Sequence, residues 1–247
     1  MRLFQVLFGS GLLLFSTSGF ANGVKTAEYA KTFPSTSVNL LTLSVVQGNV
    51  KLMTPSRENA KLTTVAYKSK DISACKVDVE LQGNSLLATF EHANQNVFCK
   101  VDVEVTLPHA IQVNVQVGRG DIISYGNFGD VNFDVASGNV DLAGSASKVF
   151  GRVANGNVSV NYCGTYLDLF AAKGDIVLSC PSVKDQTKIV SRTGYGDINV
   201  KLPSTTKVNS NLKVGFGKIE NDYSNSDSFD VSVDMKVGYG DLSIRKF

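Results

Sequence analysis

Three observations predict an all-β fold: a two-sided parallel β-solenoid with a more antiparallel N-terminal β region capping it. First, Gly120-Asp121-Ile122, Gly129-Asp130-Val131, Gly138-Asn139-Val140, Gly156-Asn157-Val158 and Gly174-Asp175-Ile176 repeat one signature, at glycine spacings of 9, 9, 18 and 18. Second, Ser147-Lys148-Val149 and Thr165-Tyr166-Leu167 hold the skipped positions in phase without the glycine. Third, the apolar residues alternate after each corner (Val131/Phe133/Val135, Val140/Leu142, Val158/Val160/Tyr162, Ile176/Leu178/Cys180), the period of a half-buried strand. A fixed internal period of this kind marks stacked repeats.

Each part of the unit has a physical reason. Glycine accepts the positive φ of a sharp corner, and a following Asp or Asn hydrogen-bonds the turning backbone. About five extended residues give a strand near 16 Å. Two units then make one coil, with one strand on each of two facing sheets. A single coil cannot bury its apolar side, so coils must stack.

In chain order, residues 1–21 read as a signal peptide: Arg2 is their only charge, Leu3–Phe15 is largely apolar, and Gly19 and Ala21 suit cleavage. That stretch is too short and too interrupted to span a bilayer, and no later stretch reads as a transmembrane segment. An exported protein is expected, in the periplasm, cell envelope or extracellular space. Residues 22–37 lack periodicity and are expected to be a flexible leader. Residues 38–115 form the N-terminal β region, with strand-like runs, a hairpin turn at Gln82-Gly83-Asn84 and a duplicated Cys-Lys-Val-Asp-Val-Glu at Cys75 and Cys99. Gly48-Asn49-Val50 repeats the corner signature early, which is compatible with this half belonging to the same fold. Sixteen of the 22 glycines follow residue 117, which puts a soft boundary near residue 116.

Residues 116–247 are the solenoid repeats. Beyond Gly174 the corner recurs at Gly196-Asp197, Gly217-Lys218 and Gly240-Asp241, with an aromatic before each glycine (Tyr195, Phe216, Tyr239) expected to stack coil on coil. The extra residues fall in 181–186, 203–207 and 223–228, polar stretches that read as loops on one edge. The last strand, Leu242–Phe247, is expected to be an exposed edge open to self-association and guarded by Arg245 and Lys246.

The repeated Gly-[Asp/Asn]-[Val/Ile], as in Ser137-Gly138-Asn139-Val140 and Gly194-Tyr195-Gly196-Asp197-Ile198, resembles the bacterial putative-adhesin domain family from Val38 to Phe247. The resemblance implies an exported or envelope β-solenoid serving adhesion or scaffolding. It supplies no catalytic residues, and the four cysteines stand outside its pattern.

The function classes narrow accordingly. A formal net charge of +2, no Trp and no aromatic-interleaved basic cluster argue against nucleic acid. The corner series Asp121, Asn139, Asn157, Asp175, Asp197 and Asp241 could be a calcium ladder, but calcium nonapeptides carry a double glycine and a later Asp. Turn chemistry explains these residues better, and no metal or cofactor is expected. Arg119-Gly120-Asp121 spells an integrin-recognition tripeptide on a corner whose Gly-Asp is already accounted for. His92 in a turn and His109 beside Pro108 lack nucleophile partners, and Asp130, Asp134, Asp141 and Asp168 scatter. No catalytic residues are therefore assigned and no enzyme is expected. Four cysteines in an exported chain favour two disulfides; three pairings are open, and proximity suggests Cys75–Cys99 and Cys163–Cys180. The leading reading is a non-enzymatic adhesin or scaffold with a protein or glycan surface partner. Its alternative is a glycan-binding or glycan-cleaving solenoid acting through a groove beside the 181–186, 203–207 and 223–228 loops, decided by whether Tyr125, Phe150, Tyr166 and Phe170 project outward together.

Overall fold

The structure, a computed structural model, describes residues 29–33, 38–54, 60–68, 75–92 and 99–247. The expected signal peptide, 1–21, lies outside the described residues.

Among the described residues every element is a strand, and most carry alternating apolar residues. The N-terminal part contains β1 (Tyr29–Phe33), β2 (Leu40–Gln47), β3 (Val50–Met53), β4 (Ala60–Lys68), β5 (Cys75–Gln82), β6 (Ser85–His92) and β7 (Lys100–Thr106). The regular coils follow as β8 (Gln112–Arg119) with β9 (Ile122–Asn127), β10 (Asp130–Ser137) with β11 (Val140–Ser145), β12 (Lys148–Asn155) with β13 (Val158–Val160), and β14 (Tyr166–Lys173) with β15 (Ile176–Ser179). The longer coils are β16 (Thr187–Tyr195) with β17 (Ile198–Leu202), β18 (Val208–Phe216) with β19 (Ile219–Asn221), and β20 (Val231–Tyr239) with β21 (Leu242–Lys246).

Among the described residues these strands form two facing sheets. Sheet I runs β1-β4-β7-β3-β9-β11-β13-β15-β17-β21-β19, and sheet II runs β18-β20-β16-β14-β12-β10-β8-β2-β6-β5. Pairing is parallel throughout the coils; the antiparallel pairs of the described residues are β1–β4, β4–β7 and β5–β6. The fold is therefore the capped parallel solenoid that the repeat implies. One interior column runs Val50, Ile122, Val140, Val158, Ile176, Ile198 and Leu242 through successive coils, all buried.

Three expectations need correction. Within the expected flexible leader, Tyr29–Phe33 is a strand paired with β4 and Phe33 is buried, while 22–28 and 34–37 lie outside the described residues. The boundary near residue 116 falls inside β8, and both sheets continue through it: β2 and β3 stack on β8 and β9 as an early coil. The C-terminal strand is not an edge. β21 lies between β17 and β19, and β20 lies between β16 and β18, so the last coil in sequence is inserted beneath the one before it.

Burial explains the insertion. β20 points Val231, Val233, Met235 and Val237 inward, whereas β18 offers Ser210 among Val208, Leu212 and Val214, and β19 offers Asn221. The more apolar coil takes the place with neighbours on both sides. Arg245 is accordingly not an edge guard but pairs with Glu220 and Asp222, and Lys246 lies 5.0 Å from the Tyr223 ring centroid.

The two edges of the solenoid differ. One carries the glycine corners, with φ of +142° at Gly120, +149° at Gly138, +140° at Gly156 and Gly174, +135° at Gly196, +143° at Gly217 and +138° at Gly240. A Cβ at Gly156 would overlap the carbonyl oxygen of Gly138 in the coil below. The opposite edge carries Gly129, Ser147 and Thr165, none at positive φ, so glycine is dispensable at that position, although Gly126 (+141°) and Gly144 (+112°) turn the chain just before it. The longer connections 181–186, 203–207 and 222–230 also leave from that edge.

Candidate functional site

The corner residues form one hydrogen-bonded ladder along the edge. Asp121 N–H donates to Asn49 Oδ1 (3.1 Å), Asn139 N–H to Asp121 Oδ1 (2.7 Å), Asn157 N–H to Asn139 Oδ1 (3.0 Å) and Asp175 N–H to Asn157 Oδ1 (2.8 Å). The ladder continues from Asp197 N–H to Asp175 Oδ1 (2.8 Å), Asp241 N–H to Asp197 Oδ1 (2.7 Å) and Lys218 N–H to Asp241 Oδ1 (2.8 Å). Lys218 ends the series because β19, the strand it leads into, is the last of sheet I among the described residues. In Arg119-Gly120-Asp121, both Gly120 and Asp121 serve this corner. Beside the ladder, Tyr239 stacks between Tyr195 (5.0 Å) and Phe216 (4.9 Å).

The outer face of sheet II is chemically different. Strand alternation and the 18-residue coil, lengthened before β16, bring Asn114, Asn132, Phe150 and Asp168 into one outward row and Gln116, Asp134, Arg152, Phe170 and Arg192 into the next. They line a depression of about 800 Å³. The Phe150 and Tyr166 rings lie 5.3 Å apart, and Phe150 and Phe170 remain exposed. Asn132 Nδ2 donates to Asn114 Oδ1 (2.7 Å), Arg192 pairs with Asp168 (3.4 Å), and the Tyr166 hydroxyl donates to Asp168 Oδ2 (3.4 Å). Burial first, then the Asp168 charge and hydrogen bond, push the Tyr166 hydroxyl above its ordinary value, with Arg192 opposing. Tyr125, on β9, belongs to sheet I, so three of the four candidate rings share this face.

The model of the Toastrack DUF4097 family matches residues 16–245. This chain belongs to the Toastrack DUF4097 family. Among solved structures, a putative adhesin from Bacteroides fragilis matches at a TM-score of 0.58 and 17% identity, covering 89% of this chain and 97% of that one. A putative cell adhesion protein from Clostridium sporogenes matches at a TM-score of 0.43 and 15% identity, covering 90% and 100%. No curated protein matches the sequence.

Within this Toastrack chain the cysteines form Cys75–Cys99 and Cys163–Cys180, with Cα separations of 5.7 and 5.1 Å. The first links β5 in sheet II to the residue before β7 in sheet I. The second ties adjacent coils where β13 has already ended at Val160, so Cys163 is free of strand alternation. His92 ends β6 rather than occupying a turn, and His109 is exposed in one. Asp134 and Asp168 reach the sheet II depression, Asp130 pairs with Lys148, and Asp141 lies on sheet I. Among the described residues no group of three or more His, Cys, Asp or Glu is placed to hold a metal, and no helix is long and apolar enough to cross a membrane.

The sequence reading missed Asn114, Asn132, Arg152 and Arg192. The 18-residue spacing that locates the interior column also runs through 114, 132, 150 and 168 and through 116, 134, 152 and 170, so the signal was available on the outward parity for all but Arg192, which lies off that spacing.

Proposed function

We propose that this protein is an exported, non-enzymatic envelope protein that serves adhesion or scaffolding through the outer face of sheet II. The observation that carries this reading is the shared outward placement of Phe150, Tyr166 and Phe170 around a depression rich in amide, carboxylate and guanidinium groups. Rings on a sheet face offer stacking surface, and the polar groups around them fix orientation. Two disulfides support an oxidising compartment. The Bacteroides fragilis protein of similar fold is a putative adhesin, which agrees with an adhesive role.

A glycan is the favoured partner class, because three rings share one face with hydrogen-bonding side chains. Binding of labelled protein to intact cells tests the reading: Phe150→Ala with Phe170→Ala should abolish surface binding while leaving the melting temperature within a few degrees. Unchanged binding by that variant refutes the face. Release of new reducing ends from a bound glycan would replace binding with cleavage. Protease shaving of fractionated cells tests export; a protein recovered only in the cytosol refutes it.

A further inference from the structure

Resting on that reading of the sheet II face, we propose that its ligand is an acidic polysaccharide, bound along the solenoid axis by a row of cations. The row crosses five adjacent strands in register: Arg152 on β12, Phe170 on β14, Arg192 on β16, Lys236 on β20 and Lys213 on β18. Neighbouring strands lie about 4.8 Å apart, so these groups form a straight, evenly spaced track. The insertion of the last coil creates it, since sequence order alone would not place Lys236 beside Arg192.

Like charges directly opposite on neighbouring strands repel, and Arg192, Lys236 and Lys213 are such neighbours. Arg192 is paired with Asp168, but Arg152, Lys236 and Lys213 have no carboxylate within ion-pair distance among the described residues. The carboxylates facing the track are Asp134, Asp168 and Asp234; the flanking Lys148 is paired with Asp130, and Lys188 sits 5.8 Å from the Tyr166 ring centroid. An anionic polymer lying on the track supplies the missing countercharge. Phe170, within the row, and Phe150 and Tyr166, beside it, present rings to the sugar faces. The chain's formal net charge of only +2 gives no general attraction to polyanions, so recognition is local to this track.

The test uses the full disulfide-bonded chain in affinity electrophoresis with polygalacturonate, chondroitin sulfate and neutral dextran. Retardation by an acidic polymer but not dextran is expected, weakening with salt. The R152Q/K236Q/K213Q variant should lose about tenfold in affinity, as three exposed charge contacts of ordinary strength would give, with K201Q on sheet I unchanged. Equal retardation by dextran, by double-stranded DNA or by anionic phosphatidylglycerol vesicles overturns the proposal, as does full binding by the triple variant. Cell-surface binding that is lost in the Phe150 and Phe170 variant yet kept in the triple variant overturns the acidic ligand while leaving the face reading intact; absence of any surface binding defeats the face reading itself.

Discussion

The middle and the end of the stack are built from the same unit but face different surroundings. Val158, in a central coil, is 1% exposed; Ile219, in the same column of the last coil in space, is 46% exposed. The end coil compensates with polarity. Asn221 Nδ2 donates to Ser210 Oγ (3.2 Å), and Asn225 accepts from Ser210 N–H (2.8 Å) while its Nδ2 donates to Ser210 C=O (3.1 Å). The 222–230 connection thus folds over the start of β18 and satisfies backbone groups that a further coil would have paired. The Tyr223 hydroxyl, donating to Leu202 C=O (2.8 Å), anchors it. At the opposite end, antiparallel strands and the Cys75–Cys99 bridge do the corresponding job. A repeat therefore has no fixed energetic value; its neighbours decide it.

The largest contrast is in the interior column. Val158→Asp should place an unpaired charge between buried neighbours and cost about 3–5 kcal/mol, whereas Ile219→Asp should cost under about 1 kcal/mol. Equal losses in denaturant melts would show that the end coil is as enclosed as the centre.

The corner glycines come next. Gly156→Ala and Gly217→Ala share the backbone strain of a positive φ, about 1–3 kcal/mol each. Each added methyl also meets the carbonyl of the neighbouring coil's glycine. The end coil can lift away from that contact, whereas the coil of Gly156 is held on both sides, so Gly156→Ala should be the more damaging. If Gly217→Ala destabilises equally, the end coil is not free to shift.

Within the ladder, Asn157→Ala removes the acceptor for Asp175 N–H and should cost about 1 kcal/mol. Lys218→Ala, at the ladder's end, should stay within about 0.5 kcal/mol. Paired thermal melts measure the difference, and a costly Lys218→Ala would give that side chain a role the ladder does not.

The smallest effect is at Tyr162, whose buried hydroxyl has no hydrogen-bond partner among the described residues and whose pKa is raised by burial. The folded state keeps a proton that the unfolded chain gives up above about pH 10, so stability should fall as pH climbs past that value. Tyr162→Phe should blunt that alkaline loss and leave neutral-pH stability nearly unchanged. Parallel alkaline melting curves for the two proteins would remove Tyr162 from the account.

The coil was legible residue by residue, because its causes are local. Glycine at a positive-φ corner, Asx beside a turning backbone and alternating apolar residues each act within a few positions. The strands, the interior column through Val140, Val158 and Ile176, and the direction of stacking all follow from them. The outward rows at 114, 132 and 150 were legible too, on the same period. The order of the coils was not. Corners at Gly196, Gly217 and Gly240 are locally equivalent, and nothing near them says which coil lies above which. Burial across coils made that choice: Val231, Val233 and Met235 gain more from two neighbours than Ser210 and Asn221 do, so the C-terminal coil moved inward and brought Lys236 between Arg192 and Lys213.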